Sequence, residues 1–461
     1  MKALINKTVS LLLIILLFGS CVKQVLDKKP VSSFPGEDFY KTPDDAQAGV
    51  NGIYNAAQGV FRINFAYWGE ARADNVQTAQ SGESLTLTQN NLTESAVSAN
   101  WTGLYTMISR ANYAIAYIPN AYPGDPDGGK QLMGQARALR ALAYFYLVRV
   151  WGDVPLVTEP YTSIEQDIFV SKTNKEQVLD QIETDLGYAV QNCADRFNNN
   201  DDRIKFTKGG AYALLAQVYM WRKKYAEAAT ASKMVLDNSL YTLAASMDDW
   251  GKIFTNSYSS ESIFEIGYNE TQTNSLRVLY AVGSDAMFTP SAKFRSSYEQ
   301  GDKRIPYVYD TTVATPKAIW KFLGKGVSDE DPSPSRQNIV LIRLADILLL
   351  RAEALARTGG TNIAESLSLL NRIRQRAGLP AFETEAAAAA RYGDLESAIL
   401  HERSIELCFE GHRWFDLVRT GKAITTMRPV NGLSDERNLV WPVFVSVLNK
   451  NPNLEQSEFY K

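Results

Sequence analysis

Histidine is nearly missing from this chain: His401 and His412 are the only two in 461 residues. That scarcity argues against a histidine-rich metal site and leaves few partners for a Ser–His or Cys–His pair. Cysteine is almost as rare, with three residues. Cys193 and Cys408 lie far apart, so spacing alone does not pair them, and both suit small buried apolar positions. The net charge is −3, which provides no broad basic field for nucleic acid. After residue 18 no long apolar run occurs, so no second segment approaches the roughly 20 residues needed to span a bilayer. The sequence also lacks a Gly-rich phosphate loop and a G-x-S-x-G nucleophile elbow.

The chemical motifs that are hinted at are incomplete. His401-Glu402 begins like a helical zinc motif, but Ile405 stands where the second ligand belongs. Asp125-Pro126-Asp127-Gly128-Gly129 hints at a calcium loop, yet Ala136 occupies the place of the closing acid. A structural Ca²⁺ therefore has no motif behind it, and no cofactor is expected. Glu402, Glu406 and Glu410 recur every four residues and stack along one helix face. A glycosidase needs two carboxylates about 5–10 Å apart across a cleft. Three neighbours on one helix, with Arg403 and Arg413 nearby, read as a salt-bridged face instead.

What is present begins at the N-terminus. Lys2 and Lys7 precede an apolar run from Leu11 to Phe18, and Gly19 and Ser20 follow, then Cys21. This is the layout of a secretory signal. The cysteine after small residues resembles a bacterial lipobox, with Phe18 where Leu is more usual. Residues 1–20 are thus expected to be a lipoprotein signal peptide. Cys21 is expected to be the acylated first residue of the mature chain, tethering it to a membrane.

Helical periodicity dominates the rest. Ala211, Leu214, Leu215, Val218 and Tyr219 share one face, and Tyr225, Ala228, Ala229, Ser232, Val235 and Leu236 line a second helix. Alanines at these offsets let the two helices approach closely, as in a tetratricopeptide-type unit. A second pair follows: Leu341, Leu344, Ala345, Leu348, Ala352 and Leu355, then Ile363, Leu367, Leu370 and Ile373, closed by Gly378 in a left-handed cap. Residues 133–150 are apolar nearly all round, which predicts a buried helix, with 174–192 as its partner. Another helix is expected from Leu395 to about Glu410, and a short strand from Ile263 to Tyr268. The fold class is mainly α: a tetratricopeptide-like helix-pair scaffold with long irregular insertions and a few short strands. The insertions run roughly over 73–100, 258–298 and 307–336. Trp68, Trp101, Trp250, Tyr280, Phe288 and Trp320 lie in or beside them. Sugar rings stack on such aromatics, although each also suits a core position.

Several segments resemble the SusD/RagB family of nutrient-binding outer-membrane lipoproteins. They are Thr42-Pro43-Asp44-Asp45-Ala46, Arg137 to Leu156, Arg343 to Leu355, Asn371 to Gly378, Glu410-Gly411-His412-Arg413-Trp414-Phe415-Asp416-Leu417, and Asn449 to Leu454. Phe444 and the last residues, Ser457 to Tyr460, depart from the usual pattern. The resemblance implies a single domain over 21–461, with an N-terminal part to about residue 200 and a C-terminal part from 201. It implies a non-catalytic protein at the outer membrane that captures a glycan, or in some members a peptide, for a SusC-like TonB-dependent transporter. Gly411, Arg413, Trp414 and Asp416 are expected to fix a helix–turn–helix corner. Asp74, Asn75, Trp101, Tyr280 and Trp320 are the candidate ligand contacts. A lipid-anchored glycan hydrolase and a protein-binding scaffold are the competing readings.

Overall fold

A computed structural model describes residues 36–163, 165–280, 286–327 and 335–461. The signal segment and Cys21 lie outside these residues.

The first long helix, α1 (Pro43–Gly69), starts where its sequence says it should. The Thr42 hydroxyl accepts from the Asp45 N–H at 3.2 Å, and the Asp45 carboxylate accepts from the Thr42 N–H at 2.8 Å. This reciprocal cap satisfies two otherwise unpaired donors, with Pro43 in the first turn. Then follow α2 (Thr102–Tyr117), α3 (Lys130–Trp151), α4 (Lys175–Asn192), α5 (Lys208–Trp221) and α6 (Tyr225–Leu236). After a long insertion come α7 (Leu344–Thr358), α8 (Ile363–Arg376), α9 (Glu385–Tyr392), α10 (Leu395–Glu406) and α11 (Arg413–Arg419). Each of α1 to α7 packs on the next, and α10 returns against α7, α8 and α9. The result is the mainly helical superhelix that the periodicity predicts.

The helix pairs close as expected. Ala216, Met220, Ala228, Ala231, Leu350 and Ala354 form a small cluster where α5, α6 and α7 meet. Its four alanines allow close helix approach. From Gly134 onward α3 is buried around almost its whole circumference. Arg140 is its polar anchor. Its guanidinium grips Asp185 on α4 at 2.7 and 2.8 Å, and donates to Asn112 on α2 at 2.8 Å. Gly378, at φ +79°, closes α8 as predicted.

The differences are local. Leu341 belongs to a strand, β4 (Ile339–Arg343), and α7 begins only at Leu344. Every residue of β4 is buried, so an apolar run there cannot be told from a buried helix. β4 pairs antiparallel with β2 (Ser262–Ile266), and β1 (Val76–Gln77) pairs with β3 (Thr289–Pro290). Helix α10 stops at Glu406, before the expected Glu410, and the chain turns through Phe409 (φ +67°) and Gly411 (φ +82°). Cys193 and Cys408 are both free and buried.

Candidate functional site

The three glutamates of the α10 region face inward into an ion network. Arg304 donates to Glu402 at 2.6 Å and to Glu406 at 3.0 Å. Arg343 bonds Glu406 at 2.6 Å, Glu261 at 2.7 Å, and both oxygens of Glu410 at 2.7 and 2.8 Å. Lys321 donates to Glu410 at 2.6 Å, Arg376 pairs with Glu406, and the Trp250 indole donates to Glu406 at 2.8 Å. Burial alone would raise the Glu406 carboxyl. The positive charges of Arg376, Arg343 and Arg304 outweigh it and hold the group well below the usual range. A carboxylate saturated in this way and closed to solvent is poorly placed to act on a substrate. The salt-bridged reading holds, with its cations drawn from distant segments.

Asp74, Asn75 and Tyr280 gather beside this network as scaffold, a correction to the expectation that they contact ligand. Arg413 grips Asp74 at 2.8 and 3.1 Å, and Lys293 adds a contact at 2.9 Å. Burial would raise the Asp74 carboxyl, but these cations bring it down to about 2. Asn75 is buried and its amide donates to Glu70. Glu70 also takes the N–H groups of Phe409 at 2.7 Å and Gly411 at 3.1 Å, while burial pushes its carboxyl up to about 7. Tyr280 is fully buried, stacked on Phe322 at 5.1 Å, and donates to the Phe409 carbonyl at 3.1 Å. The corner is tight. A Cβ on Gly69 would overlap the Gly411 carbonyl, and one on Gly411 would lie 2.6 Å from the Phe65 oxygen. Trp68, Trp250 and Phe288 are core residues as well. Trp320 is half-buried in a short turn of helix beside Lys321.

Trp101 is placed differently. It precedes α2, packs edge-on against Trp151 at 5.6 Å, and reaches the floor of a groove of about 610 Å³. Helix α2 forms one wall, with Tyr105, Ser109 and Arg110. The second wall is a strap made of residues 155–161 and 168–170, and the third is the segment from Val447 to Leu454. Sequence reasoning missed both of these walls. The strap is tied down by its backbone. Tyr105 donates to the Pro155 carbonyl at 2.7 Å, Asn112 and Tyr144 to Val157 at 3.0 and 2.8 Å, and Tyr113 to Tyr161. From the other side Asn451 holds Val170 at 3.0 Å and Asn453 holds Phe169 at 2.6 Å. Fixed in this way, the strap presents Ile168, 59% exposed, and Phe169, 40% exposed. Ser109, Glu159 and Lys450 make no side-chain hydrogen bond or ion pair among the described residues. A groove with aromatic and aliphatic faces and a few unengaged polar groups is the usual form of a small-ligand site. Among the described residues no three His, Cys, Asp or Glu side chains are placed to hold a metal. The Asp125 carboxylate instead accepts the N–H groups of Asp127 and Gly128 in its own turn, at 3.1 and 2.9 Å.

Comparison with known proteins adds the family. Residues 176–460 match the model described as SusD family, and residues 25–220 match one described as starch-binding associating with outer membrane. The SusD-like protein P38 of Formosa agariphila is 33% identical over the full length of both chains. A SusD-like protein of Bacteroides ovatus is 25% identical over 87% of this chain and 80% of its own. Among solved structures, a laminarin binding SusD-like protein superposes with a TM-score of 0.78 at 25% identity, covering 91% of this chain and all of that one. A SusD homolog from Bacteroides thetaiotaomicron gives 0.79 at 24% identity, over 92% of this chain and all of its own.

Proposed function

This chain belongs to the SusD/RagB family, and on that premise we propose that it is a non-catalytic glycan-binding protein of the outer membrane. It captures oligosaccharide in the groove under the strap and passes it to a SusC-like TonB-dependent transporter. The observation that carries this reading is the rigid presentation of Phe169 and Tyr161 beside unengaged polar groups. Apolar ring faces stack on sugar C–H faces, and the free hydroxyl, carboxylate and ammonium are available to sugar hydroxyls. The laminarin-binding neighbour supports the ligand class. The match to an outer-membrane-associated family model supports the address, and acylated Cys21 supplies the tether.

Affinity electrophoresis of the mature chain over a panel of glycans, laminarin included, tests the reading. Retention by at least one glycan, with no shortening of the oligosaccharide, is the expected result. Binding to peptides alone would favour the peptide-binding alternative, and turnover would revive the hydrolase. Cys21→Ala is expected to move the protein into the soluble fraction. Retention of that variant in the membrane would remove the lipid from the account.

A further inference from the structure

A second cavity, of about 540 Å³, adjoins the groove, and the chain that walls the one continues into the other. Val170 lines the groove, whereas Ser171 and Lys172 line the cavity. Leu454 lines the groove, whereas Asn453 and Glu455 line the cavity. Of the edge-on tryptophan pair, Trp101 belongs to the groove and Trp151 to the cavity.

A lysine usually lays its stem on the protein and keeps its ammonium in water. Lys172 is half-buried, and its side chain makes no hydrogen bond or ion pair among the described residues. The charges that act on its ammonium are those of this cavity. Asp153 and Glu455 line it, and Lys461 pairs with Glu455 and Glu458 at 3.0 and 3.5 Å. Burial lowers the Lys172 pKa, and Asp153 and Glu455 do not raise it back, with Lys461 acting against them. The three lining carboxylates are all exposed. Asp153 gives one oxygen to the Lys175 N–H at 2.9 Å, and the two glutamates share Lys461. The Lys175 ammonium is exposed at the mouth and has no ion pair among the described residues. The acids therefore sit on the rim, and the under-compensated charge within is positive.

An inner ammonium repels a metal ion or a cationic ligand, and the polar lining does not suit an apolar one. A neutral sugar would leave the charge uncompensated. An oxyanion supplies the counter-charge and accepts the three ammonium N–H donors in charge-assisted hydrogen bonds. We propose that this cavity is an oxyanion subsite, taking the carboxylate or sulfate ester of an acidic glycan, with Lys172 as its inner contact and Lys175 at its mouth. The inference rests on the reading that the ligands are glycans and narrows it to those carrying acidic groups. Sugar hydroxyls have partners beside the lysines. The Ser171 hydroxyl makes no hydrogen bond among the described residues, and Asn453 gives its NH₂ to Phe169 but keeps its oxygen. The volume lies within the range of ligand pockets, roughly 300–1,000 Å³.

Isothermal titration of the mature chain at low salt tests the subsite with matched probes. These are trigalacturonate and trimannuronate beside their methyl esters, and κ-carrageenan tetrasaccharide beside its desulfated form. At least one acidic probe is expected to bind, about tenfold tighter than its neutral counterpart, and to weaken as salt is raised. Preference for the uronates assigns a carboxylate, and preference for the carrageenan assigns a sulfate ester. Lys172→Met keeps the stem and removes the charge, so the melting temperature should hold or rise. It should weaken the acidic probe about tenfold and leave the neutral one unchanged. Lys175→Gln, the second variant, should weaken the acidic probe about threefold. Failure of every acidic probe to bind, equal binding of acidic and neutral probes, or full acidic binding by Lys172→Met would each overturn the proposal. So would capture of triaspartate through Lys172 by a protein that binds no acidic sugar. Laminarin binding that needs Phe169, with no acidic preference, would sink this inference alone. Lys172-dependent acidic binding that Phe169→Ala leaves intact would leave the subsite standing and sink the groove reading.

Discussion

Around Glu406 and along the strap groove the chain uses the same kinds of residue in opposite ways. At the corner, Arg304, Arg343, Arg374 and Arg376 meet Glu261, Glu299, Glu402, Glu406 and Glu410 out of solvent, in a mesh of ion pairs. Its aromatics, Trp250 and Tyr280, have their polar tips engaged. In the groove, Ser109, Glu159 and Lys450 have no side-chain partner among the described residues, and Phe169 is 40% exposed. Saturated polar groups hold elements in place, whereas unengaged ones beside exposed rings remain available to a ligand. The distinction separates architecture from recognition without any catalytic motif.

The comparison is most severely broken at the corner. Arg343→Leu takes a shared cation from three buried carboxylates, Glu261, Glu406 and Glu410, so a loss of about 3–5 kcal/mol is expected in denaturant unfolding. Gly411→Ala comes next. It places a side chain at φ +82° against the Phe65 carbonyl, and a loss of about 1–3 kcal/mol is expected by the same measurement.

Acid should attack the scaffold in two steps. Burial holds the His401 imidazole, stacked on Tyr392 at 4.6 Å, at about 4. A group whose folded pKa is depressed binds fewer protons folded than unfolded, so stability falls as pH drops from about 6.5 to 4. Asp74 and Glu299 are both held at about 2 against burial, Asp74 by Arg413 and Glu299 by bonds from Arg374 and Tyr392. Their contribution is full above the unfolded carboxylate range and is lost from about pH 4 to 2. Thermal melts across pH should show both steps, and His401→Phe should shrink the upper one, to which buried His412 adds and buried Glu70 runs counter, while leaving the lower. The smallest structural effect belongs to the groove, where Phe169→Ala should change stability by less than about 0.5 kcal/mol.

The helix pairs were legible because local spacing encodes them. The 211–219 and 225–236 faces, the Gly378 cap and the Glu402–Glu406 pair all depend on residues within a few turns of one another. Leu341 was misplaced because full burial erases the difference between helix and strand periodicity. Tyr280 and Asp74 looked like ligand contacts because their partners, Phe322 with Phe409 and Arg413, lie far away in sequence. The groove was the least legible part. Trp101, Phe169 and Asn451 meet through ties on the strap from α2 and α3 on one side and from Asn451 and Asn453 on the other, and no local pattern encodes such a meeting.

Isothermal titration of the best-retained oligosaccharide against the wild type, Phe169→Ala and Trp320→Ala most directly tests the assignment of recognition to the groove. Trp320 is half-buried and lies outside the groove lining. The account predicts about tenfold weaker binding, near 1.4 kcal/mol, for Phe169→Ala and unchanged binding for Trp320→Ala. The reverse result, with Phe169→Ala binding normally and Trp320→Ala impaired, would contradict it.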